Sequence, residues 1–371
     1  MKIAVGVAVI LAAALVAGAV PAESGQRGDI DARREEIQRR REALRERQAE
    51  LRRARQEARR GPVATQPFTA VAKIGRQGAL TLLNPAGNVT ITAGGGDDVR
   101  VDAIKRVWAR TDAAARAGLS DLAIEVNERQ GAVDVRTTWQ RQRPFDAEVD
   151  YTIAVPAGAS VSVRALSGDV IVTGVRGELR AEAVTGSIKA TSVGQVRQLR
   201  TLSGSVSLED ADGSDVMVST LGGAVTIRQL KAQSADLRTV GGDLIISDSE
   251  AERVTAQSLN GRVELSGRLA RTGRYSLQSQ SGEIRLLPAG EDFELEAASV
   301  NGTVRSDYPI TVDDRREAGG ARGRGFVRGR GIGGAGRGGR GNARVLRGTS
   351  GSGGPLVTLR SFSGDITITR R

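Results

Sequence analysis

Two aspartates, Asp210 and Asp248, stand at equivalent places two repeats apart with Gln229 between them. They are the best carboxylate pair for acid–base work that this chain offers. Enzymes that cleave glycosidic bonds hold two carboxylates about 5–9.5 Å apart. Strand stacking would set this pair ~10 Å apart, and aspartate is also a common turn residue that solvates a bend. The acids that follow the repeated glycines are Asp169, Asp243 and Glu283, and the first two of these would lie ~19 Å apart. Sugar sites also want stacking aromatics, and between residues 161 and 308 there are only Tyr275, Phe293 and Tyr308.

Other chemistries are narrower still. The chain has no cysteine and no histidine, which excludes disulfides, thiolate catalysis, common zinc sites and the usual triad base. The run Gly94-Gly95-Gly96-Asp97-Asp98 lacks the repeated Asp spacing of calcium turns and reads as a hairpin turn. No catalytic, cofactor-binding or metal-ligating residue is therefore expected. The remaining chemistry is electrostatic. Arg322, Arg324, Arg328, Arg330, Arg337 and Arg340 crowd a glycine-rich stretch, and such a density of cations suits a polyanion.

Charge is unevenly spread along the 371 residues, whose net is +11. Residues 27–60 hold 13 Arg against 8 acids, and residues 315–347 hold 10 Arg against one Glu. The rest is slightly acidic, so a polyanion should meet these two appendages. An anionic envelope surface (lipid, lipopolysaccharide or polysaccharide) is the expected partner. Arg-Gly runs also occur in RNA binders, but an export signal argues against nucleic acid. That signal is residues 1–22: Lys2, then an uncharged run from Ile3 to Val20, then small residues at Ala17-Gly18-Ala19 and Val20-Pro21-Ala22. Uncleaved, it would act as a membrane anchor. No Cys follows it, so no lipoprotein anchor is expected. The protein should be periplasmic, surface-located or secreted.

The elements follow from pattern. Residues 27–60 are rich in Arg, Glu, Gln, Ala and Leu and predict a basic α-helix, or stalk. Ile30, Ile37, Leu44, Leu51 and Ala58 recur every seven residues, but Arg33, Arg40 and Arg47 spoil the second seam. Weak self-association through residues 29–60 is the most that half a seam supports. Residues 61–67 read as a linker and 68–160 as a β cap with early, irregular rungs. Ala113 to Ala117 suggest a short helical turn.

The main signal is a repeat over 161–308. Glycines fall at 168, 186, 204, 223, 242, 261, 282 and 302, in steps of 18 to 21 residues. Two and four places after each glycine come apolar pairs such as Val206/Leu208, Val225/Ile227 and Leu244/Ile246. Five places before come Val163, Ala181, Leu199, Val218, Leu237 and Ala256. Two places before come Leu166, Val184, Leu202, Leu221, Val240 and Leu259. Alternation means strands with one buried face, and the change of phase at the glycine means a tight bend where φ > 0 is available. Three places before, the residue is always small, as in Ala165, Thr201 and Ser258, giving packing room or a hydroxyl that bonds the bend. A unit of ~19 residues cannot bury its own apolar face, whereas stacked rungs share one core. The fold class is all-β, a right-handed β-solenoid or β-helix. Residues 315–354 cannot form a core and read as a disordered Gly/Arg-rich insertion, with 355–371 as the final rung.

These residues resemble the bacterial β-strand-repeat family labelled putative adhesin, a domain of unknown function. The likeness rests on Asn84-Pro85-Ala86-Gly87-Asn88-Val89-Thr90-Ile91, on Tyr151-Thr152-Ile153-Ala154-Val155-Pro156-Ala157-Gly158, and on the Ser-Gly-Asp-Val rungs, closing with Phe362-Ser363-Gly364-Asp365-Ile366-Thr367-Ile368. It covers roughly residues 68–308 and 355–371. It implies an extracytoplasmic β-helical fold and no established activity or site residues. The expected function is a non-catalytic adhesive, binding or structural envelope protein. The alternative is a polysaccharide-active β-helix lyase or hydrolase.

Overall fold

The structure, a computed structural model, describes residues 61–139, 146–311 and 344–370. The expected signal at 1–22, the basic helix at 27–60 and all six candidate arginines, Arg322 to Arg340, lie outside those residues.

The repeat builds the predicted stack. A rung enters on a strand such as Val196–Ser203 and bends at its glycine. It then continues into a second strand, in this case Val206–Thr220. That long strand turns again, and its later half is the entry strand of the next rung. Each strand pairs in parallel with its equivalent in the rungs above and below. On the second side Val170, Ile188, Val206, Val225, Leu244, Val263 and Ile284 are register partners in turn. On the entry side the same holds from Val163 through Ala181, Leu199, Val218 and Leu237 to Ala256. All of these are buried. The aligned aliphatic columns form one core that no rung could make alone.

From the Gly204 rung onward, the small residue before the bend bonds it; the Gly168 and Gly186 rungs have Ala165 and Ala183 there. Thr201, Thr220, Thr239 and Ser258 donate their hydroxyls to the carbonyls of Gly186, Gly204, Gly223 and Gly242 in the preceding rungs, at 2.9–3.1 Å. Ser258 and Ser279 also accept from the amides of Gly261 and Gly282, both at 2.8 Å. The reason for the glycines differs from expectation. Gly168, Gly186 and Gly204 have positive φ, but Gly223 and the glycines of the later rungs do not. What all share is contact: a Cβ on any of them would fall onto the carbonyl of the glycine one rung away. The column must be glycine because rungs stack there backbone on backbone.

Spatial order departs from chain order at both ends. The rung made by Ala79–Asn84 and Val89–Gly94 lies between two later segments, the pair Ala132–Trp139 with Asp146–Pro156 on one side and Ser160–Ser167 with Val170–Thr173 on the other. At the other end, Leu356–Ser361 pairs in parallel with both Arg274–Ser279 and Phe293–Ser299. Residues 355–371 are thus not the final rung. They slot between the Gly282 and Gly302 rungs, and the Gly302 rung is outermost.

Antiparallel strands cover the ends, where an open edge would invite pairing with another chain. Val63–Lys73 pairs with Asp98–Trp108, which pairs with Asp146–Pro156. The stretch expected as linker is therefore strand from Val63 onward. Asp146–Pro156 also sits between Val89–Gly94 and Asp98–Trp108, so Gly94 to Asp98 joins unpaired strands and is not a hairpin. The helical turn is a full helix, Asp112–Asp121, capped by Thr111 Oγ1 accepting from the Ala114 amide at 3.2 Å. At the far end Arg344–Ser350 pairs antiparallel with Phe293–Ser299. Residues 344–354, read as part of the disordered insertion, are instead a cap strand and its turn.

Candidate functional site

Three columns of side chains mark the outside of the stack. The first holds the carboxylate pair. Ser192, Asp210, Gln229 and Asp248 stand at the same corner of successive rungs, just beyond the paired Thr191, Glu209, Arg228 and Ser247, and all four have left-handed backbones with φ of 51–53°. Aspartate enters that region more readily than most residues. Ser192 Oγ donates to Asp210 Oδ2 at 3.0 Å. The corner conformation thus accounts for the residue types without a catalytic role. Gln229 is the least suited of the four. Replacing it with glycine should raise stability by up to about 1 kcal/mol in thermal melts, and Gln229→Val should lower it, because glycine alone enters this region freely.

The three aromatics between residues 161 and 308 do not form a sugar-stacking surface. Tyr275, Phe293 and Tyr308 are all buried, with Phe293 and Tyr308 edge to face at 5.2 Å. The Tyr275 hydroxyl donates to the Ala251 carbonyl at 2.7 Å and accepts from the Ala270 amide at 2.8 Å. At the amino-terminal end Asn84 is fully buried. It donates to the carbonyls of Gly87 and Val149 at 3.0 and 2.9 Å, and Thr137 bridges it to the Tyr151 hydroxyl. Burial pushes the Tyr151 phenol up to about 12, so it holds its proton and ties rungs together. Sequence reading quoted Asn84 without assigning it this role. Its signal was position: it stands three before Gly87, where later rungs place a hydroxyl.

The second column is apolar and faces outward. Leu166, Val184, Leu202, Leu221, Val240 and Leu259 are 39–51 % exposed, and Phe362 continues the line at 51 %. Backbone bonds confirm that they stack: the amides of Gly222, Gly241 and Asn260 donate to the carbonyls of Leu202, Leu221 and Val240 at 2.9–3.0 Å. The break of phase at the bend turns these residues out while their neighbours at three and five places before the glycine point in. Beside Val240, Leu259 and Phe362 runs a groove of about 570 Å³, edged by Arg238 and Arg360.

The third column is acidic and structural. Asp169, Asp243 and Asp365 follow their glycines and accept from the amides of Ser187, Arg262 and Thr303 in the adjacent rungs at 2.7–2.8 Å. This explains the Ser-Gly-Asp signature. Among the described residues no group of three or more Asp or Glu is placed to hold a metal ion.

A family model described as Toastrack DUF4097 matches residues 79–323. No curated protein matches the chain. Solved structures that match include a "putative adhesin" from Bacteroides fragilis, 13 % identical over 82 % of this chain and 97 % of that one, with a TM-score of 0.36. A "putative cell adhesion protein" from Clostridium sporogenes is 8 % identical over 83 % of this chain and all of that one, with a TM-score of 0.22. A "putative lipid binding protein" from Parabacteroides distasonis is 10 % identical over 82 % and 97 %, with a TM-score of 0.36.

Proposed function

The chain belongs to the Toastrack DUF4097 family, and from that premise we propose that it is an exported, non-catalytic β-solenoid serving as a binding or structural surface of the cell envelope. One observation carries this reading: the polar groups that could do chemistry are already used by the stack. The hydroxyl column bonds glycine carbonyls, the post-glycine acids accept backbone amides, and Asp210 and Asp248 occupy a left-handed corner. The three aromatics between residues 161 and 308 are in the core.

The adhesive element in this reading is the Gly/Arg segment with Arg322, Arg324, Arg328, Arg330, Arg337 and Arg340. Because residues 344–350 form a cap strand, the segment that can be removed is 315–343. It carries +7 of the chain's +11. Deleting it should leave the thermal transition nearly unchanged, since loop entropy varies only logarithmically with length. Binding to vesicles containing phosphatidylglycerol should fall at least about tenfold, as each basic residue near an anionic surface adds ~1 kcal/mol. Binding by the full chain should weaken as salt shortens the Debye length toward ~8 Å. Equal binding by both proteins, or binding indifferent to salt, would remove the segment from the mechanism. Turnover of an acidic glycan that disappears in Asp210→Asn/Asp248→Asn would replace the whole reading with an enzymatic one.

A further inference from the structure

We propose that the outward apolar ladder is a self-association face, on which two copies of this chain pack with their stacks parallel and a two-fold axis running along the stack. Exposure raises the question of what covers it. From Leu166 to Leu259 the line crosses five rung steps, about 24 Å at ~4.8 Å per rung, and Phe362 resumes it beyond Gln280. Scattered exposed aliphatics are ordinary, but a contiguous apolar line of this length marks an interaction surface. The fold does not require it. In the Gly282 rung the same position is Gln280, whose carbonyl accepts from the Ser363 amide at 2.9 Å just as its apolar counterparts do. A polar residue therefore serves the stack equally well.

The charges on either side identify the occupant. Four places before the glycine, on one flank of the ladder, stand Arg164, Arg200, Arg238 and Arg360, with Glu182 among them. One place after it, on the other flank, stand Asp169, Asp243, Glu283 and Asp365, with Arg262 ion-paired to Asp243 at 3.5 Å. Three of the arginines share a rung with an aspartate: Arg164 with Asp169, Arg238 with Asp243, Arg360 with Asp365. A two-fold axis along the stack brings every rung level with its own copy and exchanges the flanks. The arginine of each such rung then faces the aspartate of the second copy, twice per rung. An antiparallel arrangement sets this arginine-bearing flank against its own copy and brings no arginine opposite an aspartate of the other flank. An anionic membrane pressed on the ladder would meet the acidic flank. The side chains of Arg164, Arg238 and Arg360 are 60–68 % exposed while they pair with Glu182, Asp236 and Glu296. Apolar burial supplies the affinity, and the rim charges set orientation. The proposal is independent of whether the Gly/Arg segment adheres to anything.

The test uses the full chain. Sedimentation velocity should show a dimer, and Leu221→Asp/Val240→Asp should raise its dissociation constant about 30-fold or more while leaving the thermal transition in place. The chain has no cysteine, so a single new thiol reports cleanly on geometry. Leu166→Cys stands near one end of the ladder, and the parallel two-fold predicts that it crosslinks to itself on mild oxidation. A wild-type monomer at the highest soluble concentration would overturn the proposal. So would a dimer that survives the double aspartate variant, which would place association elsewhere, for example in residues 29–60. Crosslinking of Leu166→Cys only when mixed with Phe362→Cys would mean antiparallel packing and also overturn it. A monomer whose vesicle binding is lost in the double aspartate variant would assign the ladder to lipid instead.

Discussion

Deleting residues 355–371 will abolish the cooperative unfolding transition of the carboxyl-terminal rungs rather than shorten the stack by one. Val357, Leu359, Ile366 and Ile368 have no exposed surface. Burying each such side chain is worth about 1.5–3 kcal/mol, so together they approach the whole stability of a typical domain, about 5–15 kcal/mol. The loss falls on neighbours too. Arg274–Ser279 and Phe293–Ser299 both hydrogen-bond to the deleted strand and would be left one strand apart. Phe293–Ser299 would keep only its antiparallel partner, Arg344–Ser350. Urea denaturation followed by circular dichroism should show a transition that is lost or far less steep. An unchanged midpoint and slope would mean that the deleted rung sits at the end after all.

Val225→Asp should be the most damaging kind of single substitution in this chain. Val225 is 1 % exposed and lies between Val206 and Leu244 in the adjacent rungs. The change removes a buried aliphatic group and places a carboxylate where no partner reaches it, for a combined loss of roughly 4 kcal/mol or more. Thr226 points outward, and Thr226→Asp should cost under about 1 kcal/mol. The deficit should depend on pH with a definite sign. Burial raises a carboxyl's folded-state value above its unfolded value of about 3.9. The folded variant then binds more protons than the unfolded one at intermediate pH. Its deficit is therefore largest near neutrality and shrinks as pH falls toward 4. Melts of the two variants at pH 7 and pH 4 test both claims, and equal tolerance of the two substitutions would show that the register is wrong.

The rung was legible in the sequence because three signals coincide at one period. The glycine, the aliphatic pair after it and the small residue before it recur together, and each has a separate physical reason to do so. The ladder at Leu166 to Leu259 was harder to interpret. Its residues are the same types that fill the core, and only the phase break at the bend decides that they turn outward. The insertion of the Gly364 rung was not legible at all. Every rung presents the same bonding edge and the same apolar columns, so pattern alone cannot say which rung lies beside which. The cap strand at 344–350 was hidden by composition, because Val345 and Thr349 are its only strong strand formers. The acidic pair was placed correctly at Asp210 and Asp248, yet the reason for it, a left-handed corner, is a backbone property that single residue types only suggest.

The two tucked-in rungs also constrain the order in which the molecule can assemble. In the regular stretch each new strand meets a partner about 20 residues earlier, as Gln278 meets Gln257. Such contacts can close one after another as the chain emerges from the ribosome. At the ends the separations are far longer: Arg360 meets Gln278 and Ser160 meets Ala79. Closing a loop about four times longer costs only about 1.3 kcal/mol more in chain entropy, so thermodynamics barely penalises the arrangement. Timing is affected more. Ala79–Asn84 must wait unpaired on both sides until residues 132–167 have been made. Phe293–Ser299 cannot take its final place until Leu356–Ser361 has been synthesised and has entered. Each end therefore passes through a stage with an open parallel edge, the state most prone to pair with another chain, and folding speed there is governed by the arrival of a distant segment rather than by the neighbouring rung.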